Sequence, residues 1–199
     1  MRHLKITLLA ACLLPLSAFA GDHAHDEHKH EHKQETKHEQ HEHASHEHGS
    51  LDAHEHGHAR LNLALEGQTL ELELESPAFN LIGFEQAPST DAQKASVAQA
   101  RQALSAPASL FGIPDAAQCT LDKQELESPL FATEQHQGEH SEIHAHYHFT
   151  CTNPQALNEL ELSLFSQFPQ LEKLEVQAIS EHGQHGATLS AKKPHLHLH

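Results

Sequence analysis

From Leu61 onward, large aliphatic residues fall at every second position. Leu61, Leu63 and Leu65 alternate with polar neighbours, Gly67-Gln68 turns the chain, and Leu70, Leu72 and Leu74 alternate against glutamates. Successive side chains on a strand point to opposite faces, so this pattern predicts a β-hairpin with one buried face and one acidic face, ended by Pro77. The same period returns in EIHAHYHF, residues 142–149. There Ile143, Ala145, Tyr147 and Phe149 share one face, and the other face carries only His144, His146 and His148.

A change of composition near residue 58 stops the pattern from extending toward the N terminus. Residues 22–58 read DHAHDEHKHEHKQETKHEQHEHASHEHGSLDAHEHGH, in which thirteen are histidine, ten are acidic and only Leu51 is a large aliphatic. Such a segment buries too little apolar surface to offset the entropy of ordering its backbone, so it is expected to be disordered when metal-free. His23, His25, His28, His30, His32, His41, His43, His46, His48 and His54 recur mostly at two- and three-residue spacings, with Glu or Asp between them. A flexible chain of imidazoles and carboxylates suits zinc, copper or nickel, borderline ions that accept nitrogen and oxygen donors. A solubilising tail needs charge but has no use for thirteen histidines, and the interspersed Glu, Lys and Ala are unlike a purification run.

Ahead of the tract, Arg2, His3 and Lys5 make a basic start, residues 6–16 an apolar run, and Ala18-Phe19-Ala20 a cleavage signal before Gly21. That is the pattern of a secretory signal peptide over residues 1–20, too short to span a membrane. Leu9-Ala10-Ala11-Cys12 has the look of a lipoprotein box, but the apolar run continues past Cys12 and too little precedes it. The mature chain is therefore expected in the periplasm, soluble and without membrane insertion. Ten basic residues then stand against 28 acidic ones. That balance repels nucleic acid and anionic membrane surfaces and attracts cations. The two remaining cysteines, Cys119 and Cys151, are expected to pair as a structural disulfide in an oxidising compartment, most simply between neighbouring strands. No C-x-x-C spacing supports a redox-active pair.

The rest of the chain reads as short strands around one helix. Phe79, Leu81, Ile82 and Phe84 form an apolar connector expected to pack under the sheet. Residues 89–107, STDAQKASVAQARQALSAP, are helical: Ser89, Thr90 or Asp91 can cap the start, Val97, Ala100, Arg101 and Leu104 outline a stripe, and Pro107 closes it. Cys119 opens another strand region with Leu121 and Leu126 expected inward. Leu160, Leu162 and Leu164 alternate, as do Leu174, Val176 and Ala178; His182-Gly183 to His185-Gly186 reads as a loop. The chain closes on PHLHLH, where Leu196 and Leu198 alternate with His195, His197 and His199. These elements predict an α+β domain over residues 58–199: a mainly antiparallel sheet of about six or seven strands with one packed helix, preceded by the disordered segment 21–57. A domain of that size buries about two-thirds of its unfolded surface, so folding does not require metal.

On the histidine strand, same-face neighbours lie about 6.5–7 Å apart at Cα. Imidazoles two residues apart can lean together to share one zinc ion. A third ligand is sought among His136, His140, His56, His58 and the C-terminal histidines.

The stretch HGHARLNLALEGQTLELELESPAFNLIGFE, His56 to Glu85, closely resembles the start of the ZrgA-like family of Gram-negative periplasmic zinc-binding proteins. Cys119 and Cys151, HYHFTC, LSLFSQFPQLEKLEVQ and the C-terminal strand are similar to that family too, so the resemblance covers nearly the whole mature domain. It implies zinc acquisition alongside an ABC-type zinc importer, with the importer's substrate-binding protein as the receiving partner. It carries metal ligation over to His56, His58, His144, His146 and His148. The expected ion is Zn2+, with Ni2+ or Cu2+ as alternatives. Two other readings stand beside it: a periplasmic nickel or copper binding or storage protein, and a zinc metalloenzyme with an H-x-H strand site. Catalysis would need an open coordination position and a placed acid or base. No nucleophile elbow occurs, and the one H-E-x-x-H match, His54 to His58, lies at the end of the histidine-rich tract and not in a helical pattern, so a binding protein rather than an enzyme is expected.

Overall fold

The alternating segments become strands in the computed structural model, which describes residues 55–132 and 141–198. In chain order the strands are β1 (His58–Glu66), β2 (Thr69–Pro77), β3 (Cys119–Glu127), β4 (Glu142–Cys151), β5 (Glu159–Glu161), β6 (Lys173–Ser180), β7 (Gly183–Leu189) and β8 (His195–His197). Six of them form one sheet in the order β3-β4-β2-β1-β6-β7, and β5 and β8 form a separate two-stranded sheet. Pairing in the main sheet is antiparallel except between β1 and β6, which run parallel with His58 opposite Lys173. The hairpin pairs Leu61, Leu63 and Leu65 with Leu74, Leu72 and Leu70, and Gly67 supplies the positive φ of 59° that its turn needs.

One face of this sheet carries the core. Leu61, Leu63, Leu70, Leu72, Leu74, Ile143, Phe149, Leu174 and Val176 are buried there, each full side chain contributing about 1.5–3 kcal/mol of transfer energy. The described residues include four α-helices, α1 (Ala78–Ile82), α2 (Asp91–Leu104), α3 (Pro107–Leu110) and α4 (Leu164–Gln167), of which only α2 exceeds two turns. Thr90 caps α2 in a capping box: its hydroxyl accepts from the Gln93 backbone N–H at 3.2 Å, and the Gln93 side-chain Oε1 accepts from the Thr90 N–H at 3.1 Å. The C-terminal end of α2 meets the sheet through Tyr147, whose hydroxyl donates to the Leu104 carbonyl at 2.8 Å and whose ring meets Phe111 edge-on at 5.5 Å. Ala100 and Leu104 are the buried residues of α2; Val97 is half-buried, and Arg101 is exposed with its guanidinium over the Phe131 ring.

Cys119 and Cys151 stand directly opposite each other on β3 and β4 and are joined by a disulfide, as their isolation in the sequence predicts. Several expectations fail on physical grounds. Of the expected loop at residues 182–186 only His182 lies in a turn, because Gly183–Leu189 forms β7, an edge strand where glycines cost little packing. Leu164 does not continue a strand: β5 stops at Glu161 and Leu164 opens α4, although Leu160, Leu162 and Leu164 are all buried. Leu121 is 38% exposed, because β3 is an edge strand and a bulge between Leu121 and Lys123 breaks its register. The apolar connector is the short helix α1, and the most buried polar side chain it contributes is Asn80.

Candidate metal-binding face

Burial of Ile143, Ala145, Tyr147 and Phe149 on the core side drives His144, His146 and His148 to the outer face of β4. Because β4 lies between β2 and β3, each imidazole gains a neighbour on both sides. Register places Glu75 and Glu127 beside His144, Glu73 and Glu125 beside His146, and Glu71 and Lys123 beside His148. Three rungs of carboxylate and imidazole therefore cross the outer face.

The side chains engage along these rungs. His144 Nδ1 lies 3.9 Å from Glu75 Oε1, and its Nε2 lies 3.3 Å from Glu142 Oε2. His146 Nε2 lies 3.7 Å from Glu73 Oε1. His148 Nδ1 lies 3.3 Å from Asp122 Oδ2, which also accepts from the Thr150 hydroxyl at 2.6 Å. Asp122 sits at the β3 bulge, where register shifts between Leu121 and Lys123, and its carboxylate reaches the outer face. Lys123, 2.9 Å from Glu125, holds that carboxyl below its ordinary range, first by its hydrogen bond and then by its charge, with His146 adding a smaller pull. The carboxylate beside His146 thus stays ionised. Above the face is an open hollow of ≈ 560 Å³, bordered by Glu71, Glu73, Glu125, His146 and His148, with Ile179 on its far side.

Imidazole nitrogens beside carboxylate oxygens form the donor set that zinc accepts, and a carboxylate bonded to one ring nitrogen orients the ring and strengthens its other nitrogen as a ligand. Among the described residues, no three His, Cys, Asp or Glu side chains already converge on a single point. The three histidines are half-exposed, so a metal would gather them by side-chain rotation over a fixed backbone.

His56 and His58 stand elsewhere. The His56 ring stacks on Phe79 at 4.3 Å, with Nε2 3.1 Å from Oε1 of the buried Glu85. Between the two histidines, Gly57 adopts φ 84° and donates its N–H to Asn80 Oδ1 at 2.6 Å. Asn80 in turn donates to the His58 carbonyl at 2.8 Å and to Ser76 Oγ at 3.1 Å. His58 Nδ1 pairs with Glu55 at 2.8 Å. With β2 intervening, β1 and β4 run about 10 Å apart, so His58 does not join the β4 histidines.

The C-terminal histidines do not supply the third ligand sought for β4 either. His195 and His197 lie on β8, which pairs with β5 outside the main sheet, and both contact Glu159. His23, His25, His28, His30, His32, His41, His43, His46, His48, His54, His136, His140 and His199 lie outside the described residues, as do residues 1–20, expected to be a signal peptide. Sequence reasoning missed the partners. The glutamates of β2 look like a generic acidic face until register sets them beside histidines. Asp122 depends on a bulge with no local signal. Among the described residues, no helix is long and apolar enough to cross a membrane.

No curated protein sequence matches this chain. The profile of a family described as ZrgA family zinc uptake protein matches residues 53–198. That span includes the disulfide, the β4 face and the C-terminal sheet, and on it the chain belongs to the ZrgA family of zinc uptake proteins.

Proposed function

We propose that this chain is a periplasmic zinc-binding accessory protein that captures Zn2+ and supports its delivery to the substrate-binding protein of an ABC-type zinc importer. In this reading residues 1–20 direct export, residues 21–57 capture and buffer ions weakly, and the domain from residue 58 holds one more tightly. Its activity is binding and transfer rather than catalysis. One observation carries it: His144, His146 and His148 stand in a row, the first two with a glutamate on each neighbouring strand and His148 with Glu71 on one side and the Asp122 carboxylate 3.3 Å away. Membership of a zinc uptake family supports zinc as that ion.

The chemistry suits a carrier. An exposed face reached by side-chain rotation lets an ion enter and leave without unfolding the sheet. Imidazole binds zinc only in its neutral form and titrates near pH 6.5 as a free group, so protons compete with the ion. Affinity should fall steeply between about pH 7 and pH 5, with more than one proton taken up per ion released.

Chelator competition with zinc, nickel and copper on the purified chain tests this reading, using the intact protein and a deletion of residues 22–53. The deletion should stay folded, keep the tightest zinc event and lose most of the bound ions. A deletion that unfolds, or that binds as many ions as before, would overturn the division of labour. Tightest binding of nickel at the expense of zinc would point to a different cargo.

A further inference from the structure

We propose a second divalent-cation site on the two-stranded sheet β5–β8, built from His195, His197 and Glu159. It stands apart from the β4 face. The closest element of the main sheet is β7, whose His185 Nε2 donates to the His197 carbonyl at 2.7 Å, and β7 is the edge opposite β3.

The sequence of β8 sets up the arrangement. Leu196 and Leu198 are buried, so His195 and His197 must share the outward face. Register places Glu159 opposite His197 and Glu161 opposite His195. The Glu159 carboxylate spans both rings: Oε1 lies 2.5 Å from His195 Nδ1, and Oε2 lies 3.4 Å from His197 Nδ1. Both Nδ1 atoms thus face one carboxylate, although the three side chains do not yet converge on a single point. With each neutral ring carrying its proton on Nε2, a divalent ion can take both Nδ1 atoms and the carboxylate by small rotations of the same three side chains, giving two nitrogen donors and one carboxylate. That set, with a position open to water, is common for zinc and acceptable to nickel or copper. Glu161 on the next rung is available as a fourth donor.

The backbone beneath is fixed. The Leu162 N–H donates to the Pro194 carbonyl at 2.9 Å, and the Leu198 N–H donates to the Asn158 carbonyl at 3.0 Å, one bond at each end of β8. The three side chains are exposed, so they can re-aim without disturbing the core. Two ligands on the last strand and one on β5 give the ion a mechanical consequence: it would clamp the C-terminal strand to the domain.

The test is a zinc titration of the full chain, followed by histidine-ring nitrogen NMR and by amide hydrogen exchange over β5 and β8. The expected result is that the His195 and His197 ring signals move together and that exchange at Leu160 and Leu196 slows by about ten-fold or more. E159Q should reduce that protection, and H195A/H197A should abolish it, with exchange in the metal-free protein unchanged. In H144A/H146A/H148A the β8 response should persist, so failure of the β4 reading and failure of this one are separable. Ring signals of His195 and His197 that stay fixed at saturating zinc would overturn the proposal. So would protection that survives in H195A/H197A.

Discussion

Asn80→Ala should be among the most damaging single substitutions in the domain. The side chain is 1% exposed and makes three hydrogen bonds: from the Gly57 N–H at 2.6 Å, to the His58 carbonyl at 2.8 Å and to Ser76 Oγ at 3.1 Å. A buried backbone group left without a partner costs about 1–3 kcal/mol. The Gly57 N–H would lose its acceptor in a buried setting and bear that cost in full. The His58 carbonyl is partly accessible, and Ser76 Oγ keeps its bond to the Pro77 carbonyl at 3.1 Å, so these two add less. The sum is about 3–4 kcal/mol, a large share of the roughly 5–15 kcal/mol that holds a domain folded. Asn80→Asp should be no better. It keeps an acceptor for Gly57 but turns a second acceptor toward the His58 carbonyl, and it buries a charge. Urea unfolding followed by circular dichroism measures the effect, since the chain has no tryptophan. A loss below about 1 kcal/mol for Asn80→Ala would refute the claim that this side chain fastens the entry of β1.

Tyr147→Phe should cost about 1–3 kcal/mol by removing the donor to the Leu104 carbonyl, read by the same unfolding assay. Burial also pushes the Tyr147 phenol well above its ordinary range. The folded state therefore holds a proton that the unfolded chain releases above about pH 10, so stability should decline as pH rises beyond that point; a native phenolate absorbance at that pH would contradict it. Gly112→Ala should destabilise by about 3 kcal/mol or more, because an added Cβ would run into the Glu161 backbone and φ there is 66°. Thermal melting of that variant against wild type checks it.

Much of the fold is legible residue by residue. The hairpin is plain because Leu61 to Leu74 alternate strictly around Gly67, and α2 is plain because the Ser89-Thr90-Asp91 run offers a cap ahead of an Ala- and Gln-rich body. The structure decides which of the three caps it, and Pro107 opens α3 after α2 has ended at Leu104. The parallel pairing of β1 with β6 is not, since it joins segments more than a hundred residues apart with no local signature. β7 was obscured by its own glycines, which punctuate a loop as readily as an edge strand. At the candidate face the histidines are visible from their spacing alone. Their carboxylate neighbours are not, because cross-strand register decides which glutamate meets which imidazole, and a one-residue slip would send them to the other face. The surroundings of His56 were equally hidden. Its ring is stacked on Phe79 and bonded to Glu85, an environment that a count of histidines cannot foresee.

The central claim is that the β4 imidazoles hold zinc, and chelator competition at about pH 7.5 on the full chain and on H144A/H146A/H148A tests it most directly. The three rings are half-exposed opposite the buried Tyr147 and Phe149, so the variant should fold as wild type by circular dichroism. Its tightest zinc event should weaken by about 100-fold or more, equivalent to about 2.7 kcal/mol, while the weaker multi-ion phase persists. A folded triple variant that binds its first zinc ion as tightly as wild type would contradict the account.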